Sequence, residues 1–485
     1  MNFKKVTTNG LCIGWAMGDI TPEGSVSLWG QYYERISEYI QSPLKATALA
    51  IESINAHGIN EQAIMISMDL LYINKKLLDS LRDIVKGRIP DFDVSKLMLN
   101  VTHTHSAPDP DSTEEYRNMI LERAAEAIVN AWKSRKPAGI SRALGYAVVG
   151  HNRRVQYANG TTEMYGSTDR EDFIGMEGSS NPGVDMLFCW DLNKKLTGII
   201  MNVSCPAQVT EAKYYVSSDY WGEVRKLVRE KFSEDVYVLP QCGAAGDLSP
   251  RDLPRGYKSG EPNMWDVPGM VEIGERLINV INIAYPQAVE NIQYKVIFEH
   301  LVKDIELPTH KYTEKEYEEA LESVNEIHSR EPDDPNSPDT AWNRFLREMK
   351  ENEKVKDFGP WDNKNTDFGI VKKKEELVEH YLNQHNDPFY RMELHVIRLG
   401  EVAFATNPFE LFADFGFMMM GRSRARQTFI VQLSCDSCGY LPTERAIKGG
   451  GYSAMVNRVG PEGGKVLVNE TIKCINELWD NPLSV

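Results

Sequence analysis

The sequence predicts an α/β fold of mixed β-sheets flanked by helices, with a charged helical insertion. Three observations point there. Between residues 11 and 300, short β-rich runs alternate with amphipathic helical ones, the pattern of a layered α/β domain. From 309 to 388 the composition turns strongly charged and helical. From 390 the strand pattern resumes.

Taken in order, the strand candidates are "ALAIES" (48–53), "AIMISMDLLYI" (63–73), "KLMLNVTHT" (96–104), "VDMLFCWDL" (184–192), "GIIMNVSC" (198–205) and "VYVLPQC" (236–242). Each is short, apolar and bounded by polar or turn-forming residues. The runs 114–134 and 221–232 repeat apolar residues at helical spacing. Residues 309–388 hold two charged helical runs split by "EPDDPNSPD", read as an insertion or lid, with a solvated helical hairpin as the alternative. The strands "YRMELHVIRLG", "VAFATNPFELF" and "QTFIVQLSC" complete the pattern. A chain of 485 residues exceeds the usual single-core limit of roughly 250–300 residues. The reading is one catalytic domain, 1–485, enlarged by that insertion.

Hydrophobic residues at 42% and charged residues at 26% are ordinary for a globular chain. The net charge of −16 repels phosphate backbones, which excludes nucleic acid as a natural partner. No apolar run is long enough for a transmembrane helix. The start "MNFKKVTTNGLCIGW" lacks a signal-peptide core, so the chain is expected in the cytoplasm if complete, and outside it if a leader is removed. Seven cysteines suit reduced thiols better than a disulfide framework.

Several loops that come after strands carry reactive side chains. "NVTHTHSAP" places His103 and His105 two apart, and alternation at a strand end would send both imidazoles to one face. They read either as a metal ligand with its catalytic partner or as two loop imidazoles. Further loops bring Cys205 before a proline; Asp247, Ser249 and Arg251; Glu410 after "NPF"; and Tyr440 and Tyr452 in a Gly-rich segment. Such a set of N, S and O donors suits a catalytic zinc, which needs a few protein ligands and one open position.

With these motifs assembled, the chain resembles the neutral ceramidase family, zinc amidases that cleave the N-acyl bond of ceramide. The matching pieces are "GDITP" (18–22), "NVTHTHSAP" (100–108), "NRR" (152–154), "SSDYWG" (217–222), "GAAGDLSPR" (243–251), the proline-led Glu410 and the Tyr440/Tyr452 loop. The resemblance implies Zn2+, or another divalent ion, on His103, Cys205, Glu410 and Tyr440. It implies catalytic roles for His105, Arg153, Tyr452 and Ser249. Asp69, Asn152, Arg154, Asp219 and Asp247 are assigned to substrate binding or to support of the ligands. Cys205 is a departure: the family has a histidine there, and a thiolate would leave the metal a weaker Lewis acid. The sequence ends at Val485, so no immunoglobulin-like domain is expected after Tyr452.

The resulting expectation is a zinc hydrolase acting on an amide. Two rivals stand beside it: the same site acting on a soluble carbohydrate or glycoconjugate through Glu410, Asp247 and Asp219, and a non-catalytic binding relative. The partner expected is a small-molecule or glycoconjugate substrate; a homo-oligomer is compatible. Cys435 and Cys438 read as two unremarkable thiols, the methionines of "FGFMMMGRSR" as filler, and His151 as structural. His300, His310, His328, His380, His385 and His395 show no partner pattern and are taken as surface or packing residues.

Overall fold

A computed structural model describes residues 9–54, 60–256, 266–351, 366–455 and 457–480. The main sheet is built from β1 (Asn9–Asp19), β2 (Lys45–Ile54), β3 (Asn60–Met68), β4 (Leu97–Val101), β5 (Lys136–Tyr146), β6 (Gly183–Asp191), β7 (Leu196–Val203) and β8 (Tyr237–Cys242). Their spatial order is β8-β7-β6-β5-β1-β2-β3-β4, and the short strand Lys295–Val296 adds to β1. The two outermost pairs, β3/β4 and β7/β8, are parallel, and the neighbours between them are antiparallel. The sheet curls until its edges meet: Asn100 Nδ2 on β4 donates to Pro240 O on β8 at 3.1 Å. Loops at opposite ends of the strand order are thereby brought together.

Helices α1 (Lys75–Arg88), α2 (Glu114–Lys133), α3 (Tyr220–Lys231) and α4 (Asp266–Glu290) accompany this sheet. Thr113 caps α2 by accepting from Tyr116 N, and Glu114 and Glu115 occupy the first turn, where the helix dipole favours acids. Glycines in β1 let α2 pack on bare backbone: a Cβ on Gly14 would lie 2.0 Å from Ala131 O, and one on Gly18 2.6 Å from Arg123 O.

A second sheet runs β9 (Phe298–Pro308), β10 (Phe389–Leu399), β11 (Val402–Thr406), β12 (Gln427–Val431) in that order. It stacks on the first, because Ile397, Phe404 and Phe429 share one apolar core with Leu49, Ile66, Leu99 and Ile200. β9 and β10 pair along their full length, from Phe298↔Leu399 to Pro308↔Phe389. Between them the chain forms α5 (Glu314–His328), α6 (Ala341–Glu351) and α7 (Asp367–Asn383). Helices α8 (Ala413–Arg422) and α9 (Pro461–Trp479) share the core on the other side of this sheet. Among the described residues no helix is long and apolar enough to cross a membrane.

The strands read from sequence are present, with shifted ends. The runs 63–73 and 96–104 stop as strands at Met68 and Val101, and the loops beyond those two residues carry the site. β1, β5 and β9 are strands the pattern did not announce. Two sequence expectations need correction. His300 and His395 are buried partners of each other, Nε2 to Nδ1 at 2.9 Å. Asp69 does not orient either imidazole of "THTH": its carboxylate is bidentate with Arg225 of α3 (2.7 and 3.0 Å) and accepts from Lys45 N.

Because this pair is buried, removing one partner strands the other charge. Asp69→Ala should destabilise the fold by about 3–5 kcal/mol, and the double change with Arg225→Met should recover much of that loss. Chemical denaturation of the two variants checks it.

Candidate functional site

The site begins where β4 ends. His103 adopts a left-handed backbone (φ 63°), held by His103 N donating to Leu70 O at 3.0 Å. Its ring Nδ1 donates to Leu71 O at 3.0 Å, which turns Nε2 toward the other site residues. The turn, rather than strand alternation, delivers His105 to the same place: the two Nε2 atoms lie 3.4 Å apart.

His105 is fixed from the other side by the 29–35 segment. Gly30 has φ 108°, and a Cβ there would lie 2.4 Å from His105 Nδ1; only glycine brings this carbonyl close enough to accept from that nitrogen at 3.1 Å. Buried Arg35 ties the segment down by donating to His105 O, Trp29 O and Lys213 O at 2.7–2.9 Å. Burial, then the His103 ring and the Arg35 and Arg153 charges, push the His105 pKa well below the usual imidazole range. His105 is therefore a neutral base whose Nε2 accepts from Gln208 Nε2 at 2.8 Å.

Glu410 and Tyr440 arrive as a pair. The short strands Glu410–Leu411 and Tyr440–Leu441 run parallel in register, Glu410 opposite Tyr440. Glu410 Oε2 lies 3.5 Å from His103 Nε2, and Oε1 accepts from Tyr72 Oη at 2.9 Å. Burial raises the Glu410 pKa, but His103, Arg153 and Tyr440 outweigh it and hold the group below its ordinary value as a carboxylate. Arg153 is buried behind them. It donates to Tyr440 Oη (3.0 Å), Gly246 O (2.9 Å), Gln208 Oε1 and Tyr165 Oη (both 3.3 Å), and its Nε–H has no partner among the described residues.

The other expected residues build the walls. Arg154 is bidentate with Glu177 and donates to Ser453 Oγ and Gly450 O, so it fixes the loop bearing Tyr452. The Tyr452 ring stands edge-on to Tyr440 at 5.7 Å and lies under Lys373 of α7. Asp247 accepts from Ala413 N and Asn152 Nδ2, and Asp219 accepts from Thr210 N, Thr210 Oγ1 and Tyr220 N. Burial pushes both carboxyls up to about 6. The Ser249 hydroxyl accepts from Arg251 N within its own turn.

No hydrogen bond or ion pair among the described residues joins Cys205 to His103 or Glu410; its thiol points to Val149 O and Pro206 O inside an apolar core. Burial, reinforced by Cys242 and Asp219, pushes the thiol well above its usual pKa, so a thiolate is disfavoured there. Three donors nevertheless suit a divalent ion. With both Nδ1 atoms turned to carbonyls, His103 Nε2 lies 3.4 Å from His105 Nε2 and 3.5 Å from the Glu410 carboxylate, so two imidazole nitrogens and a carboxylate converge where a divalent ion could be held. His103, Glu410 and Tyr440 make an N, O, O set that fits a catalytic metal with positions left open.

Sequence reasoning missed Gly30, Arg35, Tyr72, Tyr165, Gln208 and Glu211, the last lying 3.9 Å from His105 Nδ1. Aromatic residues rim the site: Trp29 meets Tyr72, and Tyr32 meets both Tyr452 and Phe368 of α7.

The class this architecture defines is the fold of the neutral ceramidases. The neutral ceramidase from Pseudomonas aeruginosa superposes with a TM-score of 0.66 over 97% of this chain and 75% of that chain, at 17% identity. A ceramidase complexed with C2 gives 0.67 over 98% and 76%, also at 17% identity. No protein-family model and no curated protein matches the chain.

The geometry separates Cys205 from the donors. Cys205→Ala should leave the bound metal per chain at the wild-type level and cost about 1–2 kcal/mol from lost core packing. His103→Ala should lower metal content, and elemental analysis after dialysis compares the two.

Proposed function

We propose that the protein is a metal-assisted hydrolase of N-acyl (amide) bonds whose substrate carries an apolar acyl chain. The observation that carries this reading is the convergence of His103 Nε2, His105 Nε2 and the Glu410 carboxylate beside a buried guanidinium. His103, Glu410 and Tyr440 would hold zinc, which when bound supplies a Lewis acid and makes a water acidic enough to act near neutral pH.

The protein's own groups would do the rest. Neutral His105 accepts a proton at Nε2, once Gln208 swings away, and returns it to the leaving amine. Arg153 cannot lose its charge and is held from four sides, so its unpartnered Nε–H is a ready donor for a developing oxyanion. The Tyr452 hydroxyl is the second donor. Trp29, Tyr32, Tyr72 and Phe368 offer an apolar wall for an acyl chain, and the helical segment between β9 and β10 serves as the cover that keeps water out.

The carbohydrate alternative loses its support. Glycoside hydrolysis needs two carboxylates flanking the bond, and Asp219 and Asp247 are occupied by the hydrogen bonds of their own loops. The test is a panel of N-acyl sphingosines, N-acyl amino acids and glycosides offered to the zinc-loaded protein. Release of free fatty acid is expected, with Tyr452→Phe lowering kcat roughly 10²-fold and leaving KM near its wild-type value. Glycoside turnover without acyl release would overturn the reading.

A further inference from the structure

A second cluster of ligand-type side chains lies away from this cleft. Glu393, His395 and Cys435 each offer one ligand atom, and the three atoms lie within 4.8 Å of one another. Glu393 and His395 stand two apart on β10, and Cys435 lies beyond β12 in a left-handed conformation (φ 65°) fixed by Cys435 N donating to Leu99 O. Among the described residues no hydrogen bond or ion pair joins these three to His103, Glu410 or Arg153. Glu393 and Cys435 line a cleft of about 780 Å³, together with Lys75, Leu78 and Met392.

The surroundings of the three residues are organised as ligand support. His395 Nδ1 faces His300 Nε2 at 2.9 Å, and His300 Nδ1 faces Gln62 O at 3.1 Å. The carbonyl can only accept, so His300 carries its proton on Nδ1 and its Nε2 takes the proton of His395 Nδ1. This relay orients His395 Nε2 toward Glu393 Oε1, 2.6 Å away. Arg82 grips both oxygens of Glu393 at 2.6 and 3.0 Å, fixing the carboxylate plane. A metal-bound histidine commonly hands its other N–H to a buried acceptor, and a ligating carboxylate is commonly held by a further donor.

We propose that Glu393, His395 and Cys435 form a binding site for a zinc-class divalent transition-metal ion, with its fourth position open to the cleft. Thiolate, imidazole and carboxylate are the donor types such an ion takes in tetrahedral sites. On binding, the metal forms bonds to Cys435 Sγ, His395 Nε2 and a Glu393 oxygen, while the thiol proton and the Nε2 proton leave to solvent. The site clamps β10 to the segment after β12 and is independent of the hydrolase reading.

Cobalt substitution tests it through a signal that activity does not enter. The Co2+-loaded protein should show a thiolate-to-cobalt charge-transfer absorption, which a site of histidine, glutamate and tyrosine alone cannot give. The band should persist in His103→Ala, Cys205→Ala and Cys438→Ser and vanish in Cys435→Ser and His395→Gln. Its absence from the wild-type protein, or its survival in Cys435→Ser, overturns the proposal. Should Cys435→Ser fail to fold, wild-type alkylation decides: zinc should slow iodoacetamide labelling of Cys435, mapped by mass spectrometry, by about tenfold or more. Labelling that zinc leaves unchanged overturns it equally. Loss of acyl hydrolysis in His103→Ala with the band intact separates the fate of this site from that of the cleft.

Discussion

A guanidinium taken out of water is the constraint around which the cleft is arranged. Arg153 is 2% exposed, and removing such an ion from solvent costs several kcal/mol unless its donors are met. Both Nη groups are met from separate parts of the chain, by Gly246 O after β8, Gln208 after β7, Tyr165, and Tyr440 beside Glu410, and Nε–H alone is left over. Each of those loops must close to within hydrogen-bonding distance for the charge to be tolerated. The curl of the main sheet makes this feasible, since it brings the β4 and β8 edges together and the loops beyond them into one volume.

The same logic explains why so many polar side chains near the cleft bond to the scaffold around it. Asp219, Asp247, Asn152, Arg154 and Arg35 bond to backbone groups, to each other and to neighbouring side chains such as Glu177 and Thr210. A loop buried against a site carries peptide groups that water no longer reaches, and these residues satisfy them. They hold the reacting groups by fixing main chain, which demands charged or amide side chains of particular reach. Sequence motifs that surround an active centre thus contain more scaffold than machinery.

That distinction sets what could be read in advance. His103, His105, Glu410, Tyr440 and Arg153 were legible because each is a reactive residue type just past a strand or in a family motif, and the structure gathers them. For Cys205 a position in a motif does not say which way a side chain leaves the backbone, and here the thiol faces Val149 O and Pro206 O within an apolar core. Gln208, three residues on, occupies the space between His105 and Arg153, and nothing in "PAQ" marks it. Tyr72 reaches Glu410 across 338 residues of sequence, a contact no local pattern encodes. β1 and β5 escaped notice because "NGLCIGWAMGD" and "KPAGISRALGY" are rich in glycine and proline-bearing segments of low β-propensity. They are strands because partners on both sides pair with them, and β1 keeps its glycines because α2 lies on its backbone.

The unbroken pairing of β9 with β10 has a consequence for how this protein can change over evolution. Pro308 and Phe389 are opposite each other in the ladder, so the excursion that leaves after one returns at the other. Its closure is already achieved by the strands, and lengthening such an excursion adds only slowly to the entropy of holding its ends together. Helices α5 to α7 can therefore be extended, trimmed or exchanged while the two sheets and the polar centre beneath them stay as they are. Selection on what enters the cleft can act on that segment as a replaceable part, leaving the polar residues beneath it on slower-changing ground.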